Sequence, residues 1–417
     1  MDHEPPSIDR LVHRVRDFVR DEVIPVEEAA RGVAHHHVEG SGHGGGVDAR
    51  DRELRDGLRA AARAAGLLVP HLPAEWGGHG LTALDQAAVF EAAGYSLFGP
   101  LALNIQAPDE GNMHLLLHAA SPDQQERWLR PLAAGEIHSA FAMTEPPPGA
   151  GSDPRALATT AEKVPGGWRI SGEKWFITGA RDAGVVIVLA RTSGEPGEAG
   201  GATMFLVEGG AAGMELVRDV HTIDAGLYGG HSLLRFDGCL VPDDAVLGEV
   251  DGGFAAAQVR LAPARLTHCM RWLGLAGRAQ DLALAHVSDR RGFGARLADL
   301  GLTQQHLADN EIDLAASRAV VRETARVLDA GDAAGADAGT ASSIAKTFVA
   351  EAVGRIVDRA VQLAGGQGVS DELLLSRYWR EVRPFRIYDG SSETHRWSIA
   401  KRAVSAHGKG LRHDLAR

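Results

Sequence analysis

Apolar residues in the first third of the chain recur every three or four positions, a spacing that places them on one face of a helix. This pattern predicts helices over Ile8 to Pro25, Asp48 to Leu68 and Leu84 to Gly94. The segment from Arg31 to Val47 loses the period and is rich in glycine and histidine, which predicts a loop. Ser121-Pro122-Asp123-Gln124 has an N-cap serine, a proline at the first helical position and a glutamine three residues after the cap. A helix should begin there and end at about Arg130, before Pro131.

After residue 138 the period becomes that of β-strands, in short segments separated by Gly, Pro and Asp. The segments are SAFAMT, GWRISGEKWFITGA, GVVIVLART, TMFLVEGG, GMELVRDV and SLLRFDGCLVP. Helical spacing returns in three long stretches, Phe254 to Arg290, Leu302 to Ala330 and Thr340 to Gly365. We therefore expect an α+β chain with a helical domain over 1–138, a β domain over 139–248 and a helical domain over 249–417.

Composition narrows the function classes. The chain has 417 residues, of which 44% are hydrophobic, and its formal net charge is -12. This charge argues against a nucleic-acid or anionic-membrane partner, because such partners select clustered Lys and Arg. The charged N-terminus predicts no signal peptide, and the densest apolar run, Gly184 to Ala190, is too short to span a bilayer. Two cysteines without metal or redox spacing predict a cytoplasmic protein.

The sequence supports neither a Rossmann dinucleotide site nor a histidine metal site. Gly-x-Gly-x-x-Gly does not follow an opening strand, so a Rossmann dinucleotide site is not expected. His35, His36, His37 and His43 have no acidic or Cys ligand pattern around them, and we read them as loop residues rather than a metal site.

Four separated motifs, taken together, resemble the acyl-CoA dehydrogenase family. FAMTEPPPGAGSD is similar to the family's flavin-binding T-E-P-x-A-G-S-D turn, and GEKWFITGA to its K-x-W-I-T-N-G. QLAGGQG is similar to Q-x-x-G-G-x-G, and YDGSS stands where the family usually has Y-E-G-T-S. NIQAPDEGNM, RLAPARLTHCMR and DGSSETH resemble the branch that contains members ten and eleven and their bacterial relatives.

The resemblance implies three domains, namely an N-terminal helical domain, a middle β-barrel or sandwich and a C-terminal four-helix bundle. It implies α,β-desaturation of an acyl-CoA, with FAD held between domains and across a dimer contact. Asp389 occupies the position of the catalytic base, and Tyr388 and Gly390 beside it are implied substrate contacts. Some family members carry a glutamate base at a second position, which here is Ala264. Without the other motifs, an Asp-Gly pair is equally well explained as ordinary turn chemistry.

The resemblance also implies contacts to both halves of FAD. The residues that match its flavin-ring and turn positions are Met143, Thr144, Gly151, Ser152, Phe176 and Thr178. Phe176 stands where Trp is usual, with Trp175 one position earlier, so either ring could cover the flavin. Ser152 also matches a substrate contact. The residues that match contacts to the pyrophosphate and adenosine of a neighbouring subunit are Arg290, Phe293, Gln362, Gly365, Gly366, Ser391 and Glu393.

Arg265 aligns with the arginine that the family uses near the CoA adenosine-phosphate arm. The implied partners are an acyl-CoA substrate, an electron-transferring flavoprotein and further copies of the chain, as a homodimer or a homotetramer. Two alternatives stay open. One is a flavin oxidase or monooxygenase on the same fold, similar to nitroalkane oxidase, and the other is a non-catalytic flavin-binding protein.

Overall fold

The computed structural model describes residues 7–30, 49–151, 153–198, 201–224, 229–331 and 338–408. The predicted loop from Arg31 to Val47, its four histidines and Ser152 lie outside the described residues. The chain divides into two compact units. The first comprises Met1–Val33, Leu81–Pro100 and Ala262–Arg417, and the second comprises Ala34–Gly80 and Leu101–Leu261.

The helices come before and after the strands in the chain, as the sequence predicts. They are α1 Ile8–Phe18, α2 Ile24–Ala29, α3 Ala49–Ala64, α4 Ala83–Gly94, α5 Gly99–Ala102, α6 Asp109–Ala119, α7 Pro122–Gln124, α8 Arg130–Ala133, α9 Gly253–Asp289, α10 Gly301–Ala330, α11 Ala338–Ala364, α12 Leu375–Val382 and α13 Ser392–Gly408. Across the residues described, none of the helices combines the length and the hydropathy that crossing a membrane requires.

The capping box predicted at Ser121 is present. The Ser121 hydroxyl accepts from the backbone N–H of Gln124, whose side chain accepts from the backbone N–H of Ser121. The predicted end before Pro131 is wrong, because the helix passes through a π-helical turn at Gln125–Leu129 and continues as α8. Pro131 has no N–H to continue the helical ladder, and the π-helical turn directly before it accommodates this break.

The strands form one eight-stranded sheet in the second unit. They are β1 His138–Ala142, β2 Thr160–Val164, β3 Gly167–Thr178, β4 Ala183–Arg191, β5 Ala202–Glu208, β6 Met214–Val220, β7 His231–Pro242 and β8 Val246–Leu247. Their order is β6-β7-β3-β2-β4-β5-β8, and β1 pairs with β4 in parallel. A short antiparallel hairpin, β9 Arg291–Gly292 with β10 Ala295–Arg296, follows α9.

A buried carboxylate links the N-terminal and C-terminal helices of the first unit. Glu27, at the end of α2, accepts from the Ser96 hydroxyl at 2.7 Å, the Leu97 N–H at 3.1 Å and the Tyr378 hydroxyl at 3.1 Å. Burial raises the pKa of Glu27 despite these bonds. Since Tyr378 lies in α12, this cluster fixes α2 against the helices that precede the predicted base.

Candidate active site

Asp389 lies in the turn that precedes α13, in a backbone conformation that few L-residues adopt. Its φ is 52°, and that of the next residue, Gly390, is 95°. A Cβ atom at Gly390 would also lie 2.7 Å from Nε2 of His395. Aspartate enters this region more readily than most L-residues, so the φ alone is also compatible with an ordinary Asp-Gly turn, and the neighbours of the turn decide how firmly it is held.

Three helices of the first unit supply those neighbours. The Nε–H of Arg265 in α9 donates to the backbone carbonyl of Asp389 at 3.0 Å, and Nε2 of His395 in α13 donates to the same oxygen at 3.1 Å. The Lys346 ammonium, in α11, donates to the carbonyl of Gly390 at 2.6 Å. Two consecutive carbonyls are therefore fixed by three side chains.

The carboxylate of Asp389 faces α9. Its Oδ2 lies 3.1 Å from Nε2 of His268, and the Asp389 side chain is 21% exposed. The buried ring of His268 packs beside Tyr388, with a centroid separation of 4.8 Å. The Trp272 indole N–H donates to the Tyr388 hydroxyl at 2.5 Å. The carboxylate is thus oriented by the protein and partly accessible from outside.

The electrostatics around Asp389 are dominated by buried basic groups. Burial lowers the pKa of Lys346 to about 8, although the Asp389 charge opposes this shift. Burial also lowers the pKa of Arg265, again opposed by Asp389. His395 has its pKa lowered to about 4, by burial and then by the charges of Arg265 and Lys346, so it is neutral at pH 7. Ala264, beside Arg265, is buried and apolar.

The second unit builds the predicted flavin turn around Glu145. This buried carboxylate accepts from the backbone N–H groups of Ala150, Ala158 and Thr159 at 2.8–2.9 Å. Lys174, in β3, reaches it at 2.8 Å and also donates to the Met143 carbonyl at 3.1 Å. The turn with three consecutive prolines is therefore held together by hydrogen bonds to the buried Glu145 carboxylate. Gly151, at the end of the turn, pairs with Glu145 through its backbone and has a φ of 53°.

A β-bulge in β3 places the two candidate flavin-covering residues, Trp175 and Phe176, in different environments. Lys174 pairs with Leu234 and Ile177 with Ser232, so the β3 residues between them outnumber those opposite. Trp175 donates its backbone N–H to the Thr144 carbonyl at 3.0 Å. Phe176 takes a φ of 53° and is 45% exposed. Of the two rings, Phe176 is the one presented on the surface of this unit.

Thr178, two residues further, belongs to a chain of polar contacts in the same unit. Its hydroxyl lies 2.9 Å from Nδ1 of His231, and Nε2 of His231 lies 2.9 Å from the Asp224 carboxylate. Burial acts to raise the pKa of Asp224, but its bonds to His231 outweigh this and lower it. The arrangement fixes the orientation of the Thr178 hydroxyl.

The residues implied to contact a neighbouring subunit lie on the surface of the first unit or in its hairpin. Arg290 is exposed, and Phe293 at the hairpin tip is 95% exposed with a φ of 52°. Gln362, Gly365 and Gly366 are exposed at the end of α11, and Glu393 is exposed in the first turn of α13. The Ser391 hydroxyl accepts from the backbone N–H of Thr394 at 3.2 Å and so caps α13.

The structure adds residues that sequence reasoning did not single out. His268, Trp272, Lys346 and His395 contact the Asp389 turn, and Glu145 and Lys174 hold the flavin turn. His268 and Trp272 are in or next to RLTHCMR, and Glu145 and Lys174 are in two quoted motifs, but their contacts join distant parts of the chain. Among the described residues, no group of His, Cys, Asp and Glu could hold a metal ion.

Models of the acyl-CoA dehydrogenase family match the chain in three parts. The N-terminal domain matches residues 6–136, the middle domain 140–239 and the C-terminal domain 251–404. FadE2, a probable acyl-CoA dehydrogenase of Mycobacterium tuberculosis, is 36% identical over 84% of this chain and 85% of its own length. Acyl-CoA dehydrogenase family member 11 of Rattus norvegicus is 32% identical over 96% of this chain, which spans only 51% of that relative.

Solved structures agree with these matches. A candidate acyl-CoA dehydrogenase of Mycobacterium abscessus superposes with a TM-score of 0.87 at 34% identity, covering 97% of this chain and 100% of that one. A structure of PigA with FAD and proline has a TM-score of 0.83 at 23% identity, covering 99% of this chain and 100% of that one, and shows likeness of fold alone.

Proposed function

Because the chain belongs to the acyl-CoA dehydrogenase family, we propose that it is an FAD-dependent enzyme that desaturates an acyl-CoA with Asp389 as its base. The observation that carries this proposal is the Asp389 turn. Its backbone is held at a positive φ by Arg265, His395 and Lys346, while its carboxylate is oriented and partly exposed. Three side chains directed at one turn, together with an oriented and partly exposed carboxylate, favour a catalytic group over an ordinary turn.

In the proposed reaction, the Asp389 carboxylate takes the α proton of the thioester. This proton is weakly acidic, so the base must be ionised and within hydrogen-bond reach. The cations Arg265 and Lys346 favour the ionised carboxylate, which offsets its partial burial. FAD, when bound, would supply the acceptor for the hydride that leaves the β carbon. Aspartate is one methylene shorter than glutamate, so the backbone or the substrate must approach by roughly an ångström to bring the carboxylate within reach of the proton.

The residues of the second unit fit a flavin ring. Phe176 offers an exposed aromatic surface, against which a planar ring can stack. Thr144 and the backbone of Met143 adjoin Trp175 and Lys174 through the contacts above, and the Thr178 hydroxyl is oriented by His231. We propose that Phe176 covers the ring and that Met143, Thr144, Gly151 and Thr178 contact it.

The exposed residues of the first unit fit the other half of the cofactor. The Arg290 guanidinium suits a diphosphate, and Phe293 exposes nearly all of its ring. We propose that these two residues reach the FAD of a second copy of the chain, with the exposed Gln362, Gly365 and Gly366. We assign Ser391 and Glu393 to contacts with the same FAD of the second copy. All of these contacts require a homodimer or a homotetramer.

Substrate, partner and location complete the proposal. Arg265 uses its Nε–H on Asp389 and has further N–H donors for the CoA arm. Tyr388 and Gly390 flank the base and are assigned to the acyl thioester. An electron-transferring flavoprotein in the cytoplasm would reoxidise the enzyme.

The test is anaerobic visible spectroscopy of the FAD-loaded protein with a panel of acyl-CoAs. Bleaching of the flavin band in the wild type, and its loss in Asp389→Asn, is the expected result. Asp244→Asn, a change at an exposed carboxylate of the second unit, serves as the control and should bleach like the wild type. Bleaching that survives in Asp389→Asn would remove Asp389 as the base. A loaded protein that no acyl-CoA bleaches would instead favour the oxidase alternative.

A further inference from the structure

His268 lies between an arginine and the predicted base. Its Nε2 is 3.1 Å from Oδ2 of Asp389, and its Nδ1 is 3.1 Å from Nη2 of Arg271. His268 and Arg271 are both buried. All three side chains belong to the first unit, and the two basic residues are three positions apart on α9.

The chemistry of the donors fixes the protonation of this histidine. A guanidinium has only N–H donors, so Nδ1 of His268 must accept and cannot carry a proton. Nε2 then carries the ring's single proton and donates a hydrogen bond to the ionised Asp389 carboxylate. His268 is consequently neutral, and its hydrogen bond points towards the base.

We propose that His268 is a positioning residue for Asp389, whose tautomer Arg271 fixes, so that its Nε2–H orients the carboxylate and keeps it ionised. This role rests on the proposed function of Asp389 as the base. A hydrogen bond to the charged form of an acid favours that form and lowers its pKa. The short aspartate is thereby held in its reactive charge state, and the His268 ring that holds it packs against the rings of Tyr388 and Phe385.

Other groups also face Asp389, and they are common to every variant of His268. They are Arg265 from α9, Lys346 from α11, His395 from α13 and Tyr388 from the same turn. Because these groups stay in place, a comparison among His268 variants isolates the contribution of its Nε2–H donor.

A matched pair of variants tests the role. The amide nitrogen of glutamine reaches the place of Nε2, whereas that of asparagine stops near the place of Nδ1. His268→Gln should therefore keep the wild-type pH dependence of anaerobic flavin reduction by acyl-CoA. In His268→Asn, the acid limb of the plot of reduction rate against pH should move to higher pH by about 1–2 units, because a hydrogen bond to a charged group is lost. A merely structural role would lower both rates without moving the limb.

A second measurement needs no substrate. Nitrogen-15 NMR of the histidine rings, with the His268 signal identified by its loss in His268→Gln, should show a neutral ring protonated on Nε2 at neutral pH. In Arg271→Leu, Nδ1 of His268 loses the donor that fixes it as an acceptor, so the ring should no longer be confined to the Nε2–H tautomer. A protonated ring or the Nδ1–H tautomer in the wild type would overturn the proposal.

The outcomes separate this role from the function on which it rests. If no acyl-CoA bleaches the wild type, the proposed function falls and the role falls with it. If bleaching depends on Asp389 but His268→Gln and His268→Asn share the wild-type acid limb, the role alone is overturned.

Discussion

Glu145 and Lys174 form an ion pair of 2.8 Å in which both side chains are buried. Burial alone would raise the pKa of Glu145, but the Lys174 charge and the backbone N–H donors outweigh it and lower the pKa to about 2. Burial lowers the pKa of Lys174 to about 8, with Glu145 opposing the shift. The carboxylate, rather than the ammonium, organises the turn, because it alone holds three backbone N–H groups.

We therefore predict that Glu145→Gln destabilises the protein by about 3 kcal/mol at pH 7, as expected for one partner removed from a buried pair. A folded-state pKa below the ordinary 4.5 contributes stability that is present above pH 4.5 and is lost as pH falls towards 2. The difference between variant and wild type should shrink over that window, as urea unfolding at several pH values would show. A difference independent of pH would contradict the assignment. Glu162→Gln, at an exposed site on β2, is the control.

A substitution at Gly390 tests whether the geometry of the Asp389 turn controls the rate. Gly390→Ala places a Cβ 2.7 Å from His395 Nε2 at a φ of 95°, so either the turn or the His395 ring that holds the Asp389 carbonyl must shift. A displacement of about 1 Å costs on the order of a hundredfold in rate, which we expect in anaerobic flavin reduction. Gly354→Ala is the matched control. It lies inside α11 with nothing within 4 Å of the new Cβ and should gain about 0.5–1 kcal/mol of stability at unchanged rate.

Local sequence patterns predicted the long elements well. The bounds of α9, α10 and α11 fall within one or two residues of the predicted stretches, because apolar residues recur at helical spacing along each of them. β2 was missed because its sequence, TAEKV, buries only one side chain fully. Helices α12 and α13 were also missed. The buried residues of α13 are Ser392 and His395, so it lacks an apolar stripe.

The candidate site also contains residues that local motifs predicted and residues that they could not predict. Motif resemblance predicted Asp389, Phe176 and Thr178 as site residues, since short patterns carry them. It could not identify His268, Lys346 or His395 as partners of the Asp389 turn, because those contacts join residues from α9, α11 and α13. Nor could it predict which of Trp175 and Phe176 is the more exposed, because the exposure depends on a bulge set by pairing with β7.

The exposed ring of Phe176 yields a prediction about cofactor affinity. Phe176→Ala should weaken FAD binding about tenfold, because a stacking partner of a planar ring contributes about 1–3 kcal/mol. Trp175→Phe should bind FAD like the wild type, since Trp175 is less exposed and contacts Thr144 through its backbone N–H. Release of fluorescent FAD on dilution measures both. A larger effect for Trp175→Phe would assign the flavin contact to Trp175 instead.

The lowered pKa of Lys346 predicts how the rate of flavin reduction and the stability of the protein change at alkaline pH. Its pKa of about 8 lies below the ordinary 10.5, because burial disfavours the ammonium. As pH rises through about 8, the positive charge near Asp389 is lost, and the rate of flavin reduction should fall. A lysine with a lowered folded-state pKa destabilises the fold while it is charged, so stability should rise between about pH 8 and 10.5.

Arginine and methionine at position 346 separate charge from packing. Lys346→Arg keeps a charge that does not titrate in this range, so its alkaline limb near pH 8 should disappear. Lys346→Met has no charge to lose and should show a low rate without that limb. Stopped-flow flavin reduction and urea unfolding across the range measure the two effects. A limb near pH 8 that persists in Lys346→Arg would assign the titration to another group.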